Sequence, residues 1–399
     1  MPWATVIGQE RVTDALARAL EGDRVAHAYL FHGPEGVGKK AAALAFAQAL
    51  LCERRGRGAP AGDACGRCLP CTKAARLLHP DLHVLLPYPK QSSDASDPLP
   101  EDYPERLRRL AANPYAPVDY RRLAKLDGDA PSNKQVEHRI RPLHEQVRRA
   151  LGFVPVEGPR AVAVVADADA MRMEAANAFL KLLEEPSAHA VLILTAERVD
   201  QMLPTILSRC QRLRFDPLPP EVLEAALAER EGVEAGRAAF VARMADGSYT
   251  RALALLSSED LAHHRQLALE FVRRAYALDV TKLMPLVEEV AKLGREPIKG
   301  LFSLMLGWVR DLVLYRTTGQ TDALVNVDQA EAVQAFVARL PQARLDAMAT
   351  LVEEAAGLIE RNVHTTLLLT VLAHALHDAM RGRPRERLFA PLSEPALTA

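Results

Sequence analysis

The pattern of hydrophobic positions changes at about residue 215, and this change separates a mixed region from a helical one. Before it, short apolar runs with strand character alternate with segments that have the spacing of amphipathic helices. This alternation is typical of a parallel sheet wrapped by helices. The runs are AYLF (28 to 31), LHVLL (82 to 86), AVAVVA (161 to 166), AVLIL (190 to 194) and RLRF (212 to 215).

Beyond the turn-forming sequence DPLPP (216 to 220), the pattern predicts helices only. Two short amphipathic segments, EVLEAALAER and AGRAAFVARMA, precede the turn DGS (246 to 248), and longer helical patterns follow. In one of the longer segments, hydrophobic side chains at spacings of three and four share one helix face. They are Leu301, Leu304, Trp308, Leu312 and Tyr315.

These patterns predict three domains and a short tail. The expected fold is an α/β domain with a parallel sheet, followed by a small helical domain and an all-α C-terminal domain. The predicted ranges are 1–215 for the α/β domain, 216–260 for the small helical domain, 261–385 for the all-α domain and 386–399 for the tail.

The segment 88–134 does not fit the sheet pattern, because it contains seven prolines and little apolar periodicity. We interpret it as an insertion on the surface of the α/β domain, a loop of mixed charge. The alternative is a nucleic-acid contact, since arginines here lie near tyrosines that could stack on bases. The residues concerned are Tyr103, Arg106, Arg108, Arg109, Tyr115, Tyr120, Arg121 and Arg122.

Composition and charge exclude some classes of protein. The chain has 399 residues, is 49% hydrophobic and carries a net charge of −1, so no overall field attracts nucleic acid or membranes. The start, MPWATVIGQE, has no signal-peptide pattern, and TLLLTVLAHAL (366 to 376) is too short to span a bilayer. We therefore expect a cytoplasmic protein, in which cysteines are more often metal ligands or buried thiols than disulfides.

The sequence GPEGVGKK (33 to 40) resembles a phosphate-binding loop. Gly33, Gly36 and Gly38 allow the backbone to curl with its amides inward, Lys39 adds a positive charge, and AAALAFAQALL continues as a helix. The loop normally ends in Ser or Thr, whose hydroxyl binds Mg²⁺. Lys40 stands there instead and cannot bind a cation. The loop thus predicts phosphate binding beside an impaired metal site.

A nucleotide-hydrolysing site also needs two acids at the end of a later strand, one for the metal and one for the attacking water. The candidate is AVAVVADADAM (161 to 171), which allows two alignments. In one, Ala166 replaces the metal-binding aspartate and Asp167 takes the place of the second acid. In the other, Asp167 binds the metal and Ala168 replaces the base. One acid is absent either way, so we do not expect efficient hydrolysis, although nucleotide binding through Lys39 stays open.

Four of the five cysteines form a compact C-x12-C-x2-C-x2-C pattern. Four thiolates fill the coordination sphere of one tetrahedral zinc ion and leave no open position, which predicts a structural site. Loose thiols or a redox pair are the alternative. We expect Cys210 to be a small buried residue and His79, in the sequence HPD, to lie at the surface. The predicted ligands are Cys52, Cys65, Cys68 and Cys71.

Together, these motifs resemble the bacterial DNA polymerase III clamp loader, of the AAA+ class. Within this family, the altered loop at Lys40 and the missing acid near Ala166 are similar to the delta prime subunit rather than to the ATP-hydrolysing gamma/tau subunit. The motifs that carry the resemblance are GQE (8 to 10), GPEGVGK (33 to 39), the four cysteines, NAFLKLLEEP (177 to 186) and LPTILSRCQ (203 to 211).

The resemblance also implies roles for individual residues. It implies that Arg209 is an arginine finger, which reaches the γ-phosphate held by a neighbouring subunit. Arg251 matches an arginine with which active members sense the γ-phosphate from the small helical domain; a role in domain packing is the alternative. Val6, Ile7 and Gly8 match the segment that flanks adenine, or are ordinary core residues.

The implied partners are the gamma/tau and delta subunits, the sliding clamp and, through the complex, primed DNA. The resemblance implies a subunit of a hetero-oligomeric ring within the DNA polymerase holoenzyme, with structural zinc, doubtful ATP and Mg²⁺ binding and little or no ATPase activity. Two rival hypotheses are an active gamma/tau-like ATPase and a zinc-stabilised nucleic-acid-binding protein that uses the 88–134 segment.

Overall fold

The chain folds into two compact units, Met1–Ala254 and Leu255–Ala399. Each unit has its own set of buried hydrophobic side chains. The computed structural model of the chain describes residues 3–55, 58–89, 99, 101–116, 136–138, 147, 149–171, 173–257, 261–321, 324–326, 329–360, 363–385 and 387–389.

The first unit is built on a five-stranded parallel sheet of order β2-β5-β6-β1-β7. Each of the five apolar runs in the sequence forms one of these strands, which confirms the α/β prediction. A two-stranded antiparallel ribbon, β3 with β4, lies outside the sheet. The strands are β1 Ala28–His32, β2 Leu82–Leu85, β3 Tyr88–Pro89, β4 Val136–Glu137, β5 Ala161–Val165, β6 Ala190–Ala196 and β7 Gln211–Arg214.

Helices cover both faces of the sheet, and two separate clusters of buried side chains lie between helices and strands. The alanine-rich helix α2 packs closely on one face, where the Phe46 ring meets the Tyr29 ring edge-on at 5.1 Å. The helices of this unit are α1 Glu10–Glu21, α2 Lys39–Leu51, α3 Leu69–Ala75, α4 Tyr103–Ala112, α5 Arg149–Gly152, α6 Met173–Glu184, α7 Pro204–Leu207, α8 Pro220–Glu231, α9 Ala235–Met244 and α10 Tyr249–Ser257.

The second unit is helical throughout its described residues, as the sequence predicts. Of the five residues expected to share a face in α13, Leu301, Leu304, Trp308 and Leu312 are buried and Tyr315 is half-buried. The buried Asp311 carboxylate accepts hydrogen bonds from the backbone amides of Val325 and Asn326. The helices are α11 Leu261–Ala277, α12 Val280–Lys292, α13 Arg295–Thr318, α14 Ala330–Arg339, α15 Leu345–Glu360 and α16 Thr365–Met380.

Part of the 88–134 segment differs from the expected surface loop. Helix α4 carries Tyr103 and Arg106 on a buried face, and both side chains have partners there. The Tyr103 hydroxyl accepts a hydrogen bond from the amide of Leu86 at 2.9 Å, and the Arg106 guanidinium pairs with Asp102 at 2.7 Å. These two side chains are therefore committed to the fold rather than offered to nucleic acid.

Of the other arginines and tyrosines named in that segment, Tyr115 is buried, and the rest divide into two groups. Arg108 and Arg109 are exposed and pair with Glu105 one turn away, as expected for a solvated helix face. Tyr120, Arg121 and Arg122 lie outside the described residues. Among the helices that the structure describes, none is long and apolar enough to cross a membrane.

Candidate functional site: the phosphate loop and its surroundings

The phosphate loop joins β1 to α2, as its sequence predicts. Gly33, Gly36 and Gly38 all have positive φ angles, and two of them also have no room for a side chain. A Cβ atom on Gly33 would lie 2.2 Å from the carbonyl oxygen of Phe215, and one on Gly36 would lie 2.0 Å from Oγ of Ser248. Glycine is required here both by the backbone conformation and by close packing.

Lys39 folds back onto its own loop. Its side chain is buried, and Nζ donates hydrogen bonds to the carbonyl oxygens of Gly33, at 2.7 Å, and Pro34. Burial lowers the pKa of Lys39, although the nearby carboxylates of Asp167 and Glu197 act in the opposite direction. Its ammonium group thus neutralises backbone carbonyl dipoles of the loop in this conformation.

Lys40 and Asp167 form an ion pair, with Nζ of Lys40 2.8 Å from Oδ2 of Asp167. Asp167 lies two residues beyond the end of β5 and has a left-handed φ of 52°, and its amide donates to the Thr195 hydroxyl at 2.9 Å. This backbone turn directs the carboxylate towards the loop. The structure therefore brings together the two sequence positions at which the metal site is altered.

The alanines beside Asp167 add no metal ligand. Ala166 and Ala168 are both buried, so each of the two sequence alignments leaves one of the two required acids replaced by an apolar methyl group. The carboxylate at this strand end already has a cationic partner, the Lys40 ammonium. A divalent ion at Asp167 would compete with that ammonium for the carboxylate charge.

The helix α10 contacts the phosphate loop within the first unit. The amide of Tyr249 donates to the carbonyl oxygen of Gly36 at 3.0 Å. Arg251 lies in the first turn of α10, where its amide donates to Oγ of Ser248. Burial lowers the pKa of Arg251, and the Asp246 carboxylate opposes that shift. A γ-phosphate sensor and a packing residue are both compatible with this position.

Arg209 lies at the turn between α7 and β7. Its guanidinium donates to the carbonyl oxygen of Thr205 at 3.0 Å and pairs with Glu184, the last residue of α6, at 2.9 Å. The Arg209 side chain is 35% exposed and that of Glu184 is 48% exposed. The finger candidate is thus at the surface, oriented by an ion pair that solvent can reach. Its half-buried neighbour Cys210 has a pKa raised by burial to about 11.

The four predicted cysteine ligands come together. Their sulfur atoms all lie within 4.8 Å of one another, and Sγ of Cys65 is 3.9 Å from Sγ of Cys71. A metal–sulfur distance of about 2.3 Å gives tetrahedral sulfur–sulfur edges of about 3.8 Å. The cysteines are not joined by disulfides. This cluster has the ligands and dimensions to hold one metal ion.

Backbone amides donate hydrogen bonds to two of the four sulfur atoms, whereas burial raises the pKa of Cys52 and of Cys71. The amide of Cys65 donates to Sγ of Cys52 at 3.4 Å, and that of Cys68 donates to Sγ of Cys65 at 3.3 Å. Burial raises the pKa of Cys65, but backbone hydrogen bonds outweigh burial and lower this pKa to about 6. A hydrogen bond also links the cluster to α2: the side-chain amide of Gln48 donates to the carbonyl oxygen of Cys71.

His79 is not at the surface, contrary to expectation. Its ring is 2% exposed, and Nδ1 accepts a hydrogen bond from the amide of Asp81 at 3.1 Å. The prediction failed because a polar HPD sequence indicates a loop, and the sequence pattern does not show that this loop is covered. Asp81 itself was not identified from the sequence, although its carboxylate is also buried.

Two protein-family models match the chain. A family model described as "DNA polymerase III, delta subunit" matches residues 8–219. A second, described as "DNA polymerase III, delta subunit, C terminal", matches residues 259–378.

Several curated proteins are similar over most of the chain. The DNA polymerase III subunit delta' of Bacillus subtilis is 27% identical over 377 residues, which are 93% of this chain and 96% of the relative. The delta' subunit of Pseudomonas aeruginosa is 28% identical over 353 residues, 87% of this chain and 90% of the relative. The gamma/tau subunit of Mycobacterium tuberculosis H37Rv is 28% identical over 404 residues, 94% of this chain but 60% of the relative.

The chain therefore spans about 60% of the length of its gamma/tau relative and nearly all of its delta' relatives. Percentage identity is the same for the two kinds of subunit. The residues at the nucleotide cleft must distinguish them.

Proposed function

Because the chain belongs to the DNA polymerase III delta-subunit family, we propose that it is a clamp-loader subunit of the delta prime type. In this proposal it helps to load the sliding clamp onto primed DNA in the cytoplasm, together with gamma/tau and delta subunits. It hydrolyses little or no ATP itself and contributes Arg209 to the ATP site of a neighbouring subunit.

The observation that carries this proposal is the ion pair between Lys40 and Asp167. Metal ions stabilise phosphoryl transfer by several kcal/mol, and they do so through oxygen ligands at this corner of the cleft. Here the carboxylate is neutralised by an ammonium group, which has no lone pair to give to a metal or to activate water. In this proposal the cleft keeps the loop of an ATPase site but lacks the loop hydroxyl and one of the two acids that the reaction needs.

The proposed role of Arg209 follows from its position and chemistry. A guanidinium that reaches a transferring phosphoryl group in trans stabilises its charge and accelerates hydrolysis by roughly 10³ to 10⁵. This factor corresponds to about 4 to 7 kcal/mol of activation free energy. The Arg209 side chain is 35% exposed, and its ion pair with Glu184 is a solvated contact, so exchange of the carboxylate for a phosphate oxygen costs little.

For the cysteine cluster, we propose that zinc is the bound metal and that it is structural. Four thiolates are typical of closed zinc sites, in which no position is left for a substrate or water. The metal would join α3 to the C-terminal end of α2, the helix that follows the phosphate loop.

Reconstitution with a gamma/tau ATPase subunit tests the finger assignment. We expect Arg209→Ala to reduce the DNA- and clamp-stimulated ATP turnover of the neighbouring site by about 10³-fold, because the γ-phosphate loses its trans cation. Steady-state phosphate release by the assembled complex measures this effect.

The matched control is Arg212→Ala, which removes an exposed arginine from the neighbouring strand β7. It should leave turnover close to that of wild type. Equal turnover for wild type and Arg209→Ala, in complexes of the same composition, would show that Arg209 is an ordinary surface arginine.

A further inference from the structure

Tyr115 lies inside the cleft beside the phosphate loop, although the sequence assigns it to the inserted segment. Its side chain is 3% exposed. Its hydroxyl accepts a hydrogen bond from the amide of Ile7 at 2.8 Å and lies 2.8 Å from the point where a Cβ on Gly38 would stand. Gly38 is the last loop residue before α2. The phenol therefore contacts the loop at the base of that helix.

The other side of the Tyr115 ring faces α10. The ring packs edge-on against Tyr249, with centroids 5.2 Å apart, and the Thr250 hydroxyl donates to the Tyr115 carbonyl oxygen at 2.7 Å. Through these contacts Tyr115 connects the N-terminal segment at Ile7, the phosphate loop and α10.

The turn that carries Tyr115 is also fixed locally. Oδ1 of Asn113 accepts a hydrogen bond from the Tyr115 amide at 2.9 Å, and the carbonyl oxygen of Asn113 accepts one from Ala116 at 3.0 Å. A turn closed by its own asparagine loses little further conformational entropy when the tyrosine docks. The tyrosine is thus presented to the cleft in one orientation.

These contacts fill the space that a nucleotide needs. When a phosphate chain lies against the loop amides, the attached nucleoside has to leave the loop past its last residues. At Gly38 that path holds a buried phenol, and the carbonyl oxygens of Gly33 and Gly36 are bonded to Lys39 and Tyr249.

We propose that Tyr115 is an internal occupant of this cleft, which excludes nucleoside diphosphates and triphosphates and takes over their task of joining the phosphate loop to α10. The turn at residues 113–116 then has a defined role, which is to deliver that tyrosine. This inference rests on the proposed function only in treating the cleft as one derived from a nucleotide site. It does not involve Arg209, so a failed finger test would leave it standing.

Calorimetric titration of the full chain with ADP, without divalent ions, tests the inference. If the cleft of wild type is open about a tenth of the time or less, Tyr115→Ala should bind ADP about tenfold or more tightly than wild type, because apparent affinity scales with the open fraction. Tyr315→Ala, which removes a half-buried tyrosine from the second unit, is the matched control and should bind like wild type.

Two milder variants keep the test decisive if Tyr115→Ala does not fold. Tyr115→Phe removes the hydrogen bond with Ile7, and Thr250→Val removes the bond to the Tyr115 carbonyl. Loss of one neutral hydrogen bond should raise ADP affinity up to about fivefold in each. A folded Tyr115→Ala that binds no better than wild type, or no gain in both milder variants, overturns the proposal.

Discussion

At the scale of single residues, one buried carboxylate organises the approach to strand β5, which lies between β2 and β6 in the sheet. The two oxygens of Asp81 accept hydrogen bonds from the amides of Val156, Glu157 and Gly158, at 2.6 to 2.8 Å. Burial acts to raise the pKa of Asp81, but these amides and His79 outweigh it and hold the pKa below its ordinary value. Three charge-assisted bonds thus fix the loop that leads into the sheet.

We expect Asp81→Asn to destabilise the first unit by about 2 kcal/mol, because hydrogen bonds to a charged acceptor are stronger than neutral ones. The folded pKa is depressed, so the contribution of the charge is complete above the unfolded pKa of about 4 and is lost as pH falls through the folded value. In urea unfolding experiments, the free energy of unfolding of wild type should therefore decline as pH is lowered from about 7 to about 3. If Asp81→Asn loses as much stability as wild type over this pH range, the Asp81 carboxylate is not the group responsible.

Some of the residues that shape the site could be predicted from the sequence, and others could not. Lys40 and the replaced acids near Asp167 are visible in the sequence because the loop and the strand end each have a local pattern. Asp81 and Tyr115 are not visible, since their partners are about 75 and 108 residues away and nothing in a short window records them. The ion pair of Arg209 with Glu184 likewise joins two separate motifs.

At the scale of elements, the cysteine cluster sets the position of α3. Helix α3 has only 7 residues, too few to be stable alone, and it begins directly after Cys68. Cys71 lies inside this helix and is fully buried. A metal bound by these thiolates would hold the helix against α2, in addition to the hydrophobic contacts that Cys71 and Ala74 make in the same buried cluster.

We expect the purified chain to contain about one zinc ion, and Cys71→Ser to lose it, because four ligands are needed to close the tetrahedral site. Each kcal/mol of lost stability should lower the Tm by about 2–4 °C. Elemental analysis and thermal unfolding measure the two effects.

Cys210→Ser is the control for general loss of a thiol, since Cys210 is outside the cluster. It should keep the zinc content of wild type. A Cys71→Ser chain that retains full zinc and an unchanged Tm would exclude the proposed site.

Elements were predictable to the extent that their cause is local. Apolar runs gave each strand of the main sheet to within one or two residues, and cysteine spacing gave the cluster. Helix α4 was missed, although Tyr103, Arg106 and Leu110 lie on one face at spacings of three and four. Its prolines and charges resemble a loop, and only contacts with β2 and Asp102 explain why a tyrosine and an arginine are buried there.

At the scale of the whole molecule, both units fall within matches to one replication family, whereas the chemistry is concentrated in the first. The domain boundaries at 215 and 260 stay a prediction. Resemblance alone implies that the C-terminal helices join a collar with other subunits, and this too is part of the proposal.

We expect the isolated full chain to show no magnesium-dependent ATP turnover above buffer, because the cation position is filled and one acid is absent. Lys40→Ser restores the hydroxyl but not the missing acid, and a positioned base alone is worth roughly 10² to 10⁴ in rate. Phosphate release by both proteins should therefore be negligible. Sustained release by a preparation free of contaminating ATPases would favour the gamma/tau-like hypothesis.

The ion pair between Lys40 and Asp167 should keep the geometry of this site constant over time. A magnesium ion or a nucleotide dissociates, and its supply varies with growth and starvation. An amine on a covalent tether is present in every copy of the chain from synthesis onward, and no chelator removes it. In contrast to a site that depends on the supply of nucleotide, we expect the Lys40–Asp167 site to keep the same geometry in a resting cell and in a dividing one.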